Sequence, residues 1–209
     1  MRTLAVFASG QGTNFEALAA ASRRGELGGR VVVLVSDRPD APALARARRL
    51  GVEALVLDAG HKWRTRIEDE RPWVDALRAR EVDTVLLAGF MRRLDATLLS
   101  AFPDRILNVH PSLLPAFPGI DAIRQAWEHG ARVTGCTVHL VDAALDSGPI
   151  IAQSAVEVRD EDTLESLEAR IHEAEHRLYP WAVRRFLTEP WRRDGRRLTF
   201  EDAPLGRSA

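Results

Sequence analysis

The order of β-rich runs and helical patterns in the first half of the chain restricts its fold more than any other feature. Runs at 3–8, 30–36, 53–57, 83–88 and 105–109 read as strands, and helical patterns at 14–24, 41–50 and 66–80 fall between them. The run Arg30-Val31-Val32-Val33-Leu34-Val35-Ser36 is apolar almost throughout, as expected for a strand buried on both faces. Strands and helices alternating in this way build a doubly wound, mainly parallel α/β sheet whose ligands gather at the carboxyl ends of the strands. Gly51 ends the second helix, and Pro72 is a weak spot in the third.

After Val109 the character changes. A Pro-rich loop at 110–119 leads to a helix at 120–129, then to β-like runs at 132–141 and 150–158. Such a pair reads as a hairpin or two crossing strands rather than another crossover unit. A long helix follows at 163–187, with Pro180 as its kink and Asp162, three residues before Glu165, as its start signal. The tail, 190–209, is polar and Arg-rich with a short strand at 197–200. These pieces form a C-terminal mixed β/α portion of one domain, because 209 residues leave no room for a second.

Composition removes several classes of function. Basic and acidic residues number 29 and 30, so the concentrated positive charge of a nucleic-acid binder is missing. No apolar run approaches the roughly 20 residues needed to span a bilayer, and the N-terminus carries no signal-peptide pattern. With Cys136 as the single cysteine, no internal disulfide or multi-cysteine metal site can form. These features predict a cytoplasmic protein. All but one of the basic residues are arginine, and the exception, Lys62, sits in a polar stretch unsuited to a Schiff base or a Walker loop.

Two segments carry chemistry. Ser9-Gly10-Gln11-Gly12-Thr13-Asn14 lies between a strand and a helix, where glycines let the backbone approach a phosphate and the helix start offers N–H groups. Phe15 stands where a dinucleotide fingerprint needs its third glycine, so the loop suits one phosphate monoester, or else a tight turn with a helix cap. In Leu107-Asn108-Val109-His110-Pro111, strand alternation puts Asn108 and His110 on one face at a carboxyl end. An amide beside an imidazole suits acyl transfer, the one holding an oxyanion and the other supplying charge or moving a proton. The same pair would also simply close a turn. Asp146, in a loop before a strand, is the carboxylate available to raise the histidine pKa and orient its ring.

With these residues and three further segments, the chain resembles the phosphoribosylglycinamide formyltransferase family, folate-dependent enzymes of purine synthesis. The further segments are Leu87-Ala88-Gly89-Phe90-Met91-Arg92, Gly135-Cys136-Thr137-Val138-His139 and Leu145-Asp146-Ser147-Gly148-Pro149-Ile150, and the likeness runs from Leu4 to about Trp181. It implies a nucleotide-binding half at about 1–108 and a folate and catalytic half at about 109–189, with 190–209 a tail. It implies that Gly12, Thr13, Asn14 and Glu175 meet the ribonucleotide. Met91, Arg92, Arg93, Leu94, Asn108 and Asp142 would line the folate pocket, with Arg66 at the spacing of a further folate-site arginine. Arg93 replaces an apolar residue common there, at a contact made partly by backbone. Asn108, His110 and Asp146 would be the catalytic groups.

The implied reaction moves a formyl group from the co-substrate 10-formyltetrahydrofolate to the amine of glycinamide ribonucleotide, without a metal. Asn108 and a protonated His110 would hold the oxyanion, and Asp146 would keep His110 charged. The implied partners are small molecules, with no nucleic acid or membrane, and the protein would be a monomer or homodimer. A 10-formyltetrahydrofolate deformylase and a non-catalytic folate-binding module are the alternatives. A formyltransferase acting on initiator tRNA would add a nucleic-acid-binding domain and would not need the phosphate loop.

Other signals have plainer readings. His172-Glu173-Ala174-Glu175-His176 matches a zinc-protease motif literally, with Glu189 or Glu201 as nominal third ligand, but the helix is so rich in Glu and Arg that a chance match is expected. Cys136 reads as a buried thiol. Asp37 reads as the cap of the next helix. His139, on one strand face with Thr137, belongs to core or pocket, and the tryptophans read as packing or interface residues.

Overall fold

The structure, a computed structural model, describes residues 1–61 and 65–201. Lys62 and the end of the tail, 202–209, lie outside the described residues. The elements run β1 (Arg2–Phe7), α1 (Thr13–Arg23), β2 (Gly29–Ser36), α2 (Pro42–Leu50), β3 (Glu53–Val56), α3 (Arg71–Arg78), β4 (Thr84–Leu87), α4 (Ala96–Ala101) and β5 (Ile106–His110). Then come α5 (Ala122–Glu128), β6 (Val133–Leu140), β7 (Ile150–Glu157), α6 (Leu164–Thr188), β8 (Trp191–Asp194) and β9 (Arg197–Phe200).

One sheet carries them in the order β3-β2-β1-β4-β5-β6-β7-β9-β8. The strands β3, β2, β1, β4 and β5 pair in parallel, as the alternating first half predicts. β6 then pairs antiparallel with β5 and with β7, which makes the expected hairpin of β6 and β7. The tail returns to the sheet, β9 meeting β7 in parallel at Ile150 and Arg197.

The period-2 pattern of β1 divides the core. Leu4, Val6 and Ala8 pack on the side of α1, α2 and α6, while Ala5 and Phe7 pack on the side of α3 and α4. On that second side the rings of Phe7, Trp73 and Phe90 form a cluster with centroids 5.2–5.6 Å apart. Helix α6 is fastened from below by Tyr179, whose buried hydroxyl lies 3.0 Å from the Leu87 carbonyl and 3.1 Å from the Leu107 carbonyl. Burial pushes its phenol well above the usual value, so it remains a neutral donor.

Several local expectations are corrected. The third helix is shorter than 66–80: it spans Arg71–Arg78, and Pro72 sits at its start, where a proline costs no hydrogen bond. The six-residue α4, capped by Asp95, escaped a periodicity reading because it is too short to show one. Helix α6 begins at a Thr163–Ser166 capping box rather than at Asp162, and runs as one helix through Pro180. Asp37 caps nothing; its carboxylate accepts from Arg92 Nε at 2.8 Å, both side chains being buried. Ala41 is the N-cap of α2.

The Tyr179 contact gives a direct test. Tyr179→Phe removes a buried hydroxyl donor shared by two strand carbonyls, which costs about 1–3 kcal/mol. The melting temperature should fall by roughly 2–10 °C, and an unchanged value would show that the hydroxyl does not fasten α6.

Candidate active site

A cleft of about 740 Å³ opens at the carboxyl ends of β1, β4 and β5. The loops that follow those strands tie to one another: the Ser9 N–H donates to the Gly89 carbonyl at 3.1 Å, and the Met91 N–H donates to Ser9 Oγ at 2.9 Å. Gly12, Thr13, Asn14, Met91, Arg92, Arg93, Leu94, Asn108, His110, Asp142, Asp146 and Glu175 all line this cleft. Residues far apart in sequence are thus brought to one place.

Gly12 adopts φ +74° immediately before α1, a conformation that suits glycine and turns the loop into the helix start. Asn14 Nδ2 donates to Glu175 Oε2 at 2.8 Å, and Asn14 Oδ1 is buried without a partner. The same Glu175 oxygen accepts from His172 Nδ1 at 2.9 Å. His172, singled out only as half of a zinc motif, therefore lines the cleft as the partner of Glu175. His176, the other half, has its Nε2 buried without a hydrogen bond, and Glu189 pairs with Arg185. No group of three or more potential metal ligands occurs among the described residues.

At the end of β5, Asn108 faces His139 across the antiparallel register. The His139 Nδ1–H donates to the Leu140 carbonyl at 2.8 Å, so its Nε2 is the acceptor for Asn108 Nδ2 at 3.2 Å. Burial lowers the pKa of His139 more than the Leu140 hydrogen bond and the Asp146 charge raise it, which keeps the ring neutral and its tautomer defined. A neutral imidazole thus sets which way the Asn108 amide points. His139, which the sequence assigns to core or pocket, is both buried and on the cleft wall.

Both nitrogens of His110 face oxygen. Nε2–H donates to the Phe117 carbonyl at 2.8 Å, and Nδ1 stands 3.6 Å from Asp146 Oδ2. Asp146 is held in turn by the Gly119 N–H at 2.7 Å and has φ +48°, an unusual conformation for a residue with a side chain. The loop carrying it is closed internally, Asp142 Oδ1 accepting from Ser147 Oγ at 2.7 Å and from the Ala144 N–H at 3.1 Å. The Pro-rich loop is pinned from below by Thr137, which donates to the Ser112 carbonyl at 2.7 Å and accepts from the Leu114 N–H at 3.0 Å.

Arg66 is not among the residues that line the cleft; its guanidinium pairs with Asp95 at 2.6 Å. Its neighbour Arg93 bonds through backbone, its N–H donating to the Thr65 carbonyl and its carbonyl accepting from Ile67. Cys136 is fully buried with its thiol pushed up to about 12, chiefly by desolvation, so it is no nucleophile.

A sequence profile described as formyl transferase matches residues 2–183. The chain belongs to the formyl transferase family. It is 43% identical over 187 residues to the phosphoribosylglycinamide formyltransferase of Bacillus subtilis, covering 90% of this chain and 95% of that one. A structure of glycinamide ribonucleotide transformylase 1 from Symbiobacterium toebii superposes with a TM-score of 0.91 at 50% identity, covering 97% and 95% of the two chains. A formyltetrahydrofolate deformylase from Pseudomonas syringae pv. tomato superposes with a TM-score of 0.86 at 21% identity, over 96% of this chain and 66% of that one, a likeness of fold alone.

The fold favours the charged form of His172, which lines the cleft. The hydrogen bond that His172 donates to Glu175 raises its pKa, burial opposes, and the charge of Glu175 and the contact with Glu168 add to the rise. A raised folded-state pKa contributes stability that is complete below the unfolded value and is lost as pH rises through the folded one. The melting-temperature advantage of wild type over His172→Gln should therefore be largest near about pH 6 and shrink toward about pH 9. A difference independent of pH would contradict the ion pair.

Proposed function

We propose that this chain transfers the formyl group of 10-formyltetrahydrofolate to the amine of glycinamide ribonucleotide, a step of purine (IMP) synthesis. What carries the reading is that a phosphate-type glycine loop and the Asn108, His110 and Asp146 group line one cleft. The loop N–H groups of Gly12, Thr13 and Asn14, with Glu175, receive the ribonucleotide. The segment from Met91 to Leu94 and the loop of Asp142 receive the folate. The reading places the protein in the cytoplasm with small molecules as its partners; among the described residues no helix is long and apolar enough to cross a membrane.

The neutral amine attacks the formyl carbon, and a carbon–nitrogen bond forms while the carbonyl electron pair moves to oxygen. The remaining N–H of Asn108 and the imidazolium charge of His110 stabilise that oxyanion. Asp146 keeps the charge on His110 balanced and the ring oriented. When the oxyanion collapses, the bond from carbon to folate N10 breaks, N10 keeps the electron pair and takes a proton, and the amine nitrogen gives one up. Because the polar groups are already held by backbone partners, little reorganisation accompanies the change. Holding both substrates in attack geometry supplies much of the remaining acceleration.

Purified protein should release tetrahydrofolate from 10-formyltetrahydrofolate only when glycinamide ribonucleotide is present. Asn108→Ala and His110→Ala should each lower kcat by about 10²–10³. Release without any amine would assign a deformylase, and no release from folded protein would leave a binding module.

A further inference from the structure

The glycine loop is shaped in part by a helix that no motif singled out. A loop that offers N–H groups to an anion must turn its carbonyl oxygens away and satisfy them elsewhere. Helix α2 supplies both donors. The Ala43 N–H reaches the Gly10 carbonyl at 3.1 Å, and Arg46 Nε reaches the Gln11 carbonyl at 2.7 Å. Gly12 lies so close against this helix that a Cβ there would stand 2.6 Å from Ala43 Cβ.

Charge points to the same side chain. Glu16 lies in the first turn of α1, beside the loop, where an unpaired carboxylate would repel an arriving phosphate. Arg46 Nη1 pairs with one of its oxygens and Arg49 Nη2 with the other. Burial works against ionisation of Glu16, but the hydrogen bonds and charges of Arg49 and Arg46 outweigh it and hold the carboxyl below its usual range. Arg46 thus neutralises the nearest negative charge while it fixes the loop backbone.

We propose that Arg46 is a positioning residue for the phosphate monoester of the ribonucleotide, pinning the Gln11 carbonyl away from the ligand and cancelling the charge of Glu16. The identity of the ligand rests on the transferase reading. Arg46 touches the loop rather than the reacting atoms, so its removal weakens binding of the phosphorylated substrate and spares the chemical step. A ligand without the phosphate should not sense the change.

The test compares glycinamide ribonucleotide with its 5′-dephosphorylated nucleoside, by calorimetric titration and as amine acceptor, in wild type, Arg46→Met and Arg46→Lys. Arg46→Met should weaken the ribonucleotide about tenfold, as expected for a lost charge-assisted hydrogen bond. Nucleoside kcat/KM, folate KM and saturating kcat should stay within about twofold, the span of about 0.4 kcal/mol. Arg46→Lys, which keeps the charge, should recover part of the loss. An equal loss for ribonucleotide and nucleoside would overturn the assignment, because a merely structural role would produce it; so would unchanged ribonucleotide affinity. An unaltered folate KM confirms that Arg46→Met is folded, and Arg46→Lys carries the same comparison if it is not. Wild-type protein that binds no ribonucleotide would overturn the transferase reading and this assignment with it, a result distinct from every variant-specific one.

Discussion

Strand β5 has different neighbours on its two sides, and the cleft depends on that asymmetry. On one side it continues the parallel sheet beside β4; on the other it meets β6 running the opposite way. The parallel side brings the carboxyl ends of β1 and β4, with their loops, level with Asn108 and His110. The antiparallel side brings His139 and Thr137 into register with those same two residues. A further parallel crossover in place of β6 would have put a strand of opposite polarity there, and neither ring nor hydroxyl would face the end of β5. Tyr179 bonds the carbonyls of Leu87 in β4 and Leu107 in β5, so the helix carrying Glu175 is fixed to the strands that form this seam.

Order in the site comes from backbone groups more than from side-chain pairs. His139 is oriented by the Leu140 carbonyl, His110 by Phe117, Asp146 by Gly119, and the glycine loop by Ala43. Backbone dipoles carried by a packed sheet have little freedom to follow a reacting charge, which is the condition for stabilising it without reorganisation. The buried Asp37–Arg92 pair serves a comparable end at the segment from Met91 to Leu94, fixing it to the end of β2.

The parts of this arrangement that are local in sequence were legible before the structure. The apolar runs of β1, β2, β4 and β5 announce a parallel sheet, and two-residue spacing places Asn108 and His110 on one face. The loop from Gly10 to Asn14 reads as a turn into a helix because glycine and helix start are adjacent. Partnerships that depend on distant residues were hidden. Asp37 looks like a helix cap until the fold sets Arg92, 55 residues on, beside it. His172 is only part of a chance motif match until Glu175 and Asn14 meet across the gap between α6 and α1. Arg46 is one of three arginines on α2, and only the packing of that helix on the glycine loop distinguishes it. Short elements such as α4 and β8 lack the length to express a period at all.

On the proposed function, one cleft holds both substrates and the formyl carbon passes directly from one nitrogen to the other. The most direct measurement follows that carbon. With 10-formyltetrahydrofolate labelled with carbon-13 in the formyl group and glycinamide ribonucleotide present, nuclear magnetic resonance should show all of the consumed label in the formamide carbon of the ribonucleotide product. Label appearing as free formate would mean that water, rather than the amine, is the nucleophile this cleft was built to admit.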